Sequence, residues 1–266
     1  MELFKKKFDT KVYGWKRKDG LPNVGDELAK KIVKEILLFR DIDKNKFSKK
    51  YKGKLLSIGS VMHFAKNNDV VWGTGINGKV DERLHKFTKL DVRAVRGPLT
   101  RKFLLERNIE VPEIYGDPAL LSPLFFSKKT FFINEIKKPF LVIPHMSELD
   151  LYKNKFPKDF LCSPLSNPYD FIAQLLSAEK IYSSSLHGII LAEAYGIPVT
   201  WIQSENGEDN FKYKDYYEGT GRDFNSIETE SFYGFECWKF KKIPDLDAIQ
   251  KKVIKSFPFE FWNQGN

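Results

Sequence analysis

His187 stands in a stretch of the chain whose residue types could carry acid/base chemistry. Residues 183–202 read SSSLHGIILAEAYGIPVTWI, with three hydroxyls and the histidine between two apolar runs. The pattern predicts a strand, a short loop and then a helix that starts near His187. The helix dipole lowers the proton affinity of such a histidine, which favours a neutral imidazole able to accept a proton near neutral pH. A lone histidine is more often structural, but Ser183, Ser184 and Ser185 on the same turn favour a site.

The stretch Asn23-Val24-Gly25-Asp26 offers a second group of candidate ligand-binding residues, just before the first long helix. We expect Asp26 to be the N-cap of that helix, because Asp is a favoured capping residue. Gly25 would let the backbone approach a ligand closely, and Asn23 would add an amide. Asp26 is therefore a candidate catalytic or ligand-binding carboxylate, and plain capping is the alternative interpretation.

Two more junctions combine glycine turns with polar side chains. Gly73, Thr74 and Gly75 follow a predicted strand, and such a turn can present backbone N–H groups to an anion or a sugar. The turn has neither the spacing of a dinucleotide-binding loop nor a Walker lysine. In VRGPLT, Arg96 ends a strand, and its guanidinium could clamp a carboxylate or phosphate near Thr100. A surface ion pair is the alternative for Arg96.

The elements that must position these residues alternate along the chain. Short apolar runs predict strands, and amphipathic stretches predict the helices between them. The predicted strands are Leu55–Ile58, Val70–Trp72, Val92–Val95, Leu141–Ile143, Lys180–Tyr182 and Val199–Ile202, and the predicted helices are Asp26–Leu38, Pro98–Arg107, Tyr169–Leu176, His187–Tyr195 and Asp245–Phe257. This alternation predicts an α/β fold with parallel sheets covered on both faces. Ligands bind such sheets at the carboxyl ends of the strands, where the polar junctions fall.

The domain organisation is predicted from a break in the pattern. Residues 117–139 contain prolines, a basic patch and no clean periodicity. We therefore expect an N-terminal lobe over residues 1–125, a C-terminal lobe over residues 126–244, and a helical segment over 245–266 that crosses back to the first lobe.

Composition limits the function further. The 266 residues carry a formal net charge of +9, which favours an anionic partner, although much of the excess lies in lysine runs typical of a solvated face. No apolar run reaches the roughly 18 residues of a membrane span, and no signal peptide is recognisable, so we expect a cytoplasmic protein. Cys162 and Cys237 form no metal-binding or disulfide pattern and are expected to be buried thiols. No metal site is expected.

Four motifs in order resemble those of the polysaccharide pyruvyl transferase family: NVGDELA, VRGPLT, YGDPALL and SSSLHGIILAEAYGIP, over residues 20–220. The resemblance implies two Rossmann-like lobes in a GT-B-like arrangement, with the active site in the cleft between them. It implies phosphoenolpyruvate as a donor substrate, without a further cofactor, and a ketal formed on a sugar. By this resemblance Arg96 would bind the donor carboxylate or phosphate, and His187 would be the principal acid/base. Asp26 would lie in the cleft, and Asp117 would bind substrate.

The chain departs from the family pattern at one position. Many members have an arginine two residues before the histidine, where this chain has Ser185. Lys212 and Arg222, in the segment KYKDYYEGTGR, are candidates to replace that arginine. Asp215 and Tyr216 of the same segment are further candidate binding residues. We predict a loop that enters a short helix here, and a solvated surface patch is the alternative.

The leading hypothesis is a pyruvyl transferase that acts on a precursor of a capsule, exopolysaccharide or lipopolysaccharide. We expect a lipid-linked acceptor and peripheral contact with the inner, anionic face of the membrane. A candidate membrane face combines aromatic and basic side chains, with core packing of the aromatics as the alternative; it consists of Phe125, Phe126, Phe131, Lys128 and Lys129.

Two other classes of function stay open. A GT-B-type glycosyltransferase would use a nucleotide sugar in place of phosphoenolpyruvate, and Ser185 favours this alternative. A non-catalytic glycan or nucleic-acid binder is compatible with the basic charge, but the sequence has no RNA-binding signature, zinc finger or helix-turn-helix pattern. No nucleic-acid partner is therefore expected.

Overall fold

Two β-sheets form the framework of the chain. The computed structural model describes residues 8–131, 137–205, 209–240 and 244–262. The first sheet is parallel, in the order β1-β2-β3, with strands β1 (Leu55–Leu56), β2 (Val70–Trp72) and β3 (Asp91–Ala94). The second has the order β4-β5-β6-β8-β7, with strands β4 (Leu141–Ile143), β5 (Ile181–Ser183), β6 (Val199–Ile202), β7 (Ile227–Phe232) and β8 (Phe235–Phe240).

Helices connect these strands along the described chain. They are α1 (Val24–Phe39), α2 (Pro98–Leu105), α3 (Ser122–Phe125), α4 (Leu149–Lys155), α5 (Pro168–Leu176), α6 (Leu186–Ala194), α7 (Phe211–Gly219) and α8 (Leu246–Lys255). Single 3₁₀ turns cover Met62–Phe64, Glu82–Leu84, Pro118–Leu121, Lys128–Thr130, Met146–Glu148, Lys158–Phe160, Phe224–Ser226 and Phe259–Phe261. None of the described helices combines the length and the apolar character needed to cross a bilayer.

The mixed α/β class with parallel strands is confirmed, but one part of the second sheet differs from the prediction. Strands β4, β5 and β6 pair in parallel, whereas β8 pairs antiparallel with both β6 and β7. The prediction of purely parallel sheets is therefore wrong for the β7–β8 hairpin. Tyr233 and Gly234 both have positive φ, as a tight two-residue hairpin turn requires. Most side chains of β7 are exposed, so the segment has no apolar run that would announce a strand.

A continuous hydrophobic core joins both sheets to the helices around them. It includes Leu28 of α1, Trp72 of β2, Ile143 of β4 and Trp201 of β6, all with side chains that are fully or almost fully buried. The C-terminal segment takes part in this core, because the indole Nε1 of Trp72 donates a hydrogen bond of 2.9 Å to the carbonyl of Val253 in α8. Both cysteines are buried and unpaired, as predicted. The division into residues 1–125, 126–244 and 245–266 stays a prediction.

The order of the strands brings several helix N-termini together. Helix α2 follows β3, α6 follows β5 and α7 follows β6, so each begins near the carboxyl end of a strand. Helix α1 begins beside this edge, and the N–H of Val24 donates to the carbonyl of Pro164 in the second half of the chain. The polar junctions of the sequence therefore lie at one side of the molecule.

Candidate functional site

A cavity of about 270 Å³ lies between the N-terminal turns of α1 and α6 and the start of α7. Five of the residues predicted from sequence line it, and they are Asn23, Asp26, Ser185, His187 and Lys212. The other lining residues are Trp15, Gly59, Ser60, Val61, His63, Phe64, Asn77, Val80, His145, Met146, Pro164 and Leu186. The cavity therefore combines titratable side chains, a lysine, hydroxyls and an apolar wall.

Asp26 lines the cavity from the first turn of helix α1 and does not cap that helix. The N-cap is Asn23, whose Oδ1 accepts a hydrogen bond of 3.1 Å from the N–H of Gly25. The prediction of Asp26 as the N-cap is wrong, since the helix starts two residues earlier than expected. The pKa of Asp26 is raised to about 7: burial is the largest cause, a hydrogen bond from the backbone of Trp15 opposes the rise, and the negative charge of Glu27 adds to it.

His187 lies in the first turn of α6 with its ring flat against the backbone of Gly25. A Cβ atom at Gly25 would lie 2.3 Å from Cε1 of the imidazole, so a glycine is needed for this approach. Burial lowers the pKa of His187 to about 3, and the charges of Lys212, Arg96 and His145 add to the effect. The expected direction of the shift is confirmed, but burial is its largest cause, and the groups that titrate near pH 7 are carboxyls.

Asp117 lies beneath His187 and is completely buried. Its Oδ1 accepts a hydrogen bond of 2.9 Å from the N–H of Ala119 and so caps the 3₁₀ turn Pro118–Leu121. Its Oδ2 lies 3.9 Å from Nε2 of His187, and neither of these two buried atoms has a hydrogen-bond partner among the described residues. Burial raises the pKa of Asp117 to about 7, against the opposing effects of the N–H of Ala119, of Arg96 and of the N–H of Gly59. The N–H of Gly59 lowers the pKa without making a hydrogen bond of normal geometry to Oδ2. Direct contact of Asp117 with substrate stays a prediction.

Arg96 is a buried arginine, and each of its guanidinium nitrogens donates to a protein acceptor. Its Nε and Nη2 lie 3.0 and 2.9 Å from Oδ2 of Asp215, and Nη2 also donates to the carbonyl of Ile76 at 2.7 Å. Nη1 donates to Oγ of Ser60 at 2.7 Å, and Ser60 lines the cavity. These bonds use four of the five N–H donors of the guanidinium, and the expected role of Arg96 as a donor clamp, through the remaining Nη1–H or through Ser60, stays a prediction.

Thr100 and Asp215 complete the surroundings of this arginine. The N–H and Oγ1 of Thr100 donate to Asp215 at 2.9 and 2.6 Å, and Oγ1 also accepts from the N–H of Ile76 at 3.1 Å. Neither residue is among the described lining residues of the cavity. Their hydrogen bonds connect α7 to the first turn of α2 and hold Arg96 in place.

The glycine turn after β2 packs inside the protein rather than at the cavity wall. Gly73 has φ of +92°, and a Cβ there would lie 2.2 Å from Cδ of Pro118. Oγ1 of Thr74 donates to the carbonyl of Gly59 at 2.6 Å, which shapes the loop that carries Ser60. Gly75 makes room for the guanidinium of Arg96. These residues therefore affect the cavity indirectly, because they support the loop of Ser60 and the guanidinium of Arg96.

The three serines of the opening motif have different surroundings. Oγ of Ser183 lies 2.9 Å from the carbonyl oxygens of both Ile143 and Ser185, which share its single O–H donor, and it accepts from the N–H of Ser185 at 3.0 Å. Oγ of Ser184 donates to Glu148 at 2.6 Å. Ser185 alone of the three lines the cavity, at the N-cap of α6. The structure therefore leaves one hydroxyl of this motif beside His187.

The two proposed replacements for the family arginine are far from equivalent. Lys212 lines the cavity at the start of α7, which is a helix over most of the segment. Arg222 instead is buried, pairs with Glu193 at 2.5 Å and is not among the described lining residues of the cavity, so Lys212 is the candidate that the structure brings to His187. Tyr216 also donates to Glu193, at 2.5 Å, and is not among the described lining residues.

Sequence reasoning missed several residues of the cavity. Ser60 and His145 follow the strands that start at Leu55 and Leu141, so their positions at carboxyl ends of strands were a usable signal. Trp15 and Phe64 come from loop segments without a comparable signal. Of the candidate membrane face, Phe126 is buried, and Phe125 and Phe131 are packed against the core, as the alternative interpretation predicted.

The fold and the cavity define an α/β protein with acid/base groups and a cation at the carboxyl ends of parallel strands. The chain belongs to the polysaccharide pyruvyl transferase family, whose sequence model matches residues 23–206. The family name describes transferases.

Two further proteins are similar to this chain. An uncharacterized protein of Acanthamoeba polyphaga mimivirus is 30% identical over 169 residues, which are 60% of this chain and 57% of that protein. The match therefore spans under two thirds of that relative. A solved structure of an uncharacterized protein from Klebsiella pneumoniae has a TM-score of 0.45 and 13% identity, and the match covers 82% of this chain and 91% of the other.

Proposed function

We propose that the protein transfers the pyruvyl unit of phosphoenolpyruvate to a sugar of a surface-polysaccharide precursor and closes it as a ketal. Membership of the family supports this proposal. The observation that carries it is the presence of Asp26 and His187 in one cavity, with pKa values shifted in opposite directions to about 7 and about 3. Such a pair supplies a proton donor and a proton acceptor at the same pH.

The donor is expected near Lys212. Phosphoenolpyruvate carries a carboxylate and a phosphate, which a lysine and the N–H groups of a helix N-terminus stabilise. Lys212 and Ser185 both line the cavity, and Ser185 stands at the N-terminus of α6. The cavity has a volume of about 270 Å³, which is room for a compact donor.

The protons of the reaction balance with two acid/base groups. Asp26 in its protonated form gives a proton to the methylene carbon, and the C2 atom gains oxocarbenium character. Neutral His187 takes the proton of the first hydroxyl as its oxygen bonds to C2, and transfer of this proton to the Asp26 carboxylate restores both groups. Loss of phosphate then breaks the bond from C2 to the phosphate oxygen, the second hydroxyl oxygen bonds to C2, and the proton of that hydroxyl leaves with phosphate. Each transfer needs a positioned group within hydrogen-bond reach.

The acceptor sugar is expected against the apolar wall of the cavity. Trp15 and Phe64 line this wall, and the ring of Tyr13 stacks on Phe64 with centroids 5.4 Å apart. Asn77 adds a side-chain amide for sugar hydroxyls. Because the backbone of Trp15 donates to Asp26, a sugar ring here would bring its hydroxyls close to the carboxyl. The proposal includes a lipid-linked acceptor, a cytoplasmic location and peripheral contact with the anionic leaflet.

The test is phosphate release from phosphoenolpyruvate with a panel of synthetic and lipid-linked glycosides, followed by mass spectrometry of the product. We expect His187→Asn and Asp26→Asn each to lower turnover by about 10²–10⁴-fold, the usual contribution of a general acid or base. Asp150→Asn is the matched control, because this carboxylate is exposed on α4 and pairs only with Lys153 among the described residues. Unchanged turnover in both site variants would contradict the assignment.

A glycosyltransferase that uses a nucleotide sugar is the second candidate, and Ser185 in place of the family arginine favours it. The two candidates differ in the ligand that stabilises the folded protein. Thermal unfolding with phosphoenolpyruvate is compared with thermal unfolding in UDP-, GDP- and CMP-sugars. Stabilisation by phosphoenolpyruvate supports the pyruvyl transferase, and stabilisation by a nucleotide sugar alone supports the glycosyltransferase.

A further inference from the structure

We propose that Asp117 is a positioning residue that acts through His187: its Oδ2 holds the Nε2–H of the imidazole and leaves Nδ1 as the base that meets the substrate. This inference rests on the proposed acid/base role of His187. In this proposal Asp117 does not bind the substrate directly but acts on it through His187.

The geometry of the two atoms is the first support. A separation of 3.9 Å between Oδ2 and Nε2 exceeds a hydrogen bond by about 1 Å and is too short for a water molecule between them. Catalytic hydrogen bonds are often long before substrate binds and tighten afterwards. Both atoms are buried without a hydrogen-bond partner among the described residues. Leaving a buried polar atom unpaired costs free energy, so such atoms in a folded protein often have a functional role.

The surrounding packing fixes both members of the pair. The 3₁₀ turn Pro118–Leu121, which Asp117 caps, packs against α1, α6 and α8. The ring of His187 rests on the backbone of Gly25 in α1. The proposed hydrogen bond therefore requires Nε2 and Oδ2 to approach each other by about 1 Å within this packing.

The two carboxylate oxygens of Asp117 have different roles: one caps a 3₁₀ turn, and the other faces His187. Oδ1 is committed to the N–H of Ala119, so Oδ2 must be the atom that faces His187. The charges of Lys212, Arg96 and His145 lower the pKa of His187 and so disfavour an imidazolium. An ionised Asp117, with Oδ2 3.9 Å from Nε2, stabilises the imidazolium formed when Nδ1 takes a proton from a hydroxyl.

The decisive variant is Asp117→Asn, because it separates the cap from the proposed hydrogen bond. The amide Oδ1 can keep the bond to Ala119, and its NH₂ group then faces Nε2. A donor in that place forces the proton of the neutral imidazole onto Nδ1, and the base is lost. We expect the ¹⁵N NMR signals of His187 at about pH 8 to change from the Nε2–H tautomer in the parent protein to the Nδ1–H tautomer in the variant.

Turnover gives the second measurement. We expect Asp117→Asn to lower kcat by at least about 100-fold with little change in the KM for phosphoenolpyruvate, since the variant loses the base and not the anion site. Asp223→Asn is the matched control, because Asp223 caps the exposed 3₁₀ turn Phe224–Ser226 through the same kind of bond, to the N–H of Asn225. It should change neither the His187 signals nor kcat.

The outcomes separate this inference from the proposed function. Unchanged His187 signals in Asp117→Asn overturn the inference, and so does a changed tautomer with parental turnover. A changed tautomer in a protein that never releases phosphate from phosphoenolpyruvate supports the pair and overturns the proposed function. If Asp117→Asn does not fold, Asp117→Ser replaces it, because the serine hydroxyl can cap Ala119 but cannot reach Nε2; loss of the Nε2–H tautomer is again the expected result, and its survival overturns the inference.

Discussion

Two buried aspartates beside nitrogen bases show how differently the same chemical pair can be used. Asp215 and Asp117 are both completely buried. Asp215 meets Arg96 at 2.9 Å and accepts two further hydrogen bonds from Thr100. Asp117 stands 3.9 Å from His187, and the two facing atoms have no partner among the residues that the structure describes. We call the first the closed pair and the second the open pair.

The difference separates structure from chemistry. Each guanidinium nitrogen of Arg96 donates to a protein acceptor, so the closed pair has little capacity left for a ligand in this arrangement. A satisfied buried network rigidifies the structure around it. The open pair keeps an unused acceptor and a ring that reaches the cavity, which are what proton transfer needs. Both pairs came from motifs that looked equally functional in the sequence.

The largest expected effect is a difference in the free energy of unfolding between Asp→Asn variants of the two pairs. Asp215→Asn leaves the charge of Arg96 buried without its counter-ion and should lower the free energy of unfolding by about 3–5 kcal/mol. Asp117→Asn replaces a carboxyl that is mostly neutral at about pH 6, so the same substitution should cost less than about 1 kcal/mol there. Urea unfolding at that pH measures both. Equal losses would contradict the distinction between a closed and an open pair.

The sequence predicted the framework of the fold well because apolar periodicity reports it directly. All six predicted strands occur, although the ends of some shift by one or two residues, and the junctions that follow them lie at one side of the molecule. The β7–β8 hairpin was missed, since the side chains of β7 are mostly exposed and carry no apolar run. Local pattern thus fixes elements whose side chains are buried and fails for a polar edge strand.

The candidate site could be predicted only to the level of its motifs. Whether Arg96 faces a ligand or a carboxylate depends on Asp215, which is 119 residues away in the chain. In the same way, the orphaned Oδ2 of Asp117 depends on the packing of a 3₁₀ turn against α6. Motif spacing contains neither distance, so the sequence assigned a substrate-binding role to both residues.

In the pH dependence of stability, the contributions of Asp117 and His187 should nearly cancel. The pKa of Asp117 is raised to about 7, so its contribution to the free energy of unfolding falls as pH rises from about 4 to about 7. The pKa of His187 is lowered to about 3, so its contribution rises between about pH 3 and 6.5. The two slopes nearly cancel between about pH 4 and 6.5.

Asp26 has no such partner, so its raised pKa should add a separate slope, which the lowered pKa values of His63 and His85 oppose. We expect the contribution of Asp26 to stability to fall by on the order of 2–4 kcal/mol between about pH 4 and 7, so Asp26→Asn should lose a fall of that size relative to the parent protein. Urea midpoints across this pH range measure the slope. Asp150→Asn, at an exposed carboxylate, should keep the parental slope. A variant at Asp26 with the parental slope would show that this carboxyl is ionised throughout.

The smallest expected effect is that of Lys212 on the pKa of His187 in the open pair. Lys212 contributes to the low pKa of His187, so Lys212→Gln should raise that pKa, which an NMR titration of the ring measures. The same change removes a charged donor from the cavity, and phosphoenolpyruvate should bind about 10-fold more weakly in calorimetry. Lys214→Gln on the same helix is the matched control, because Lys214 faces Glu218 and lies outside the described lining of the cavity. If both variants changed the pKa of His187 alike, the shift would depend on net charge and not on the position of Lys212. A change confined to Lys212→Gln would show that the open pair responds to one neighbouring charge. The closed pair around Arg96 lacks this response because its hydrogen bonds are made within the protein.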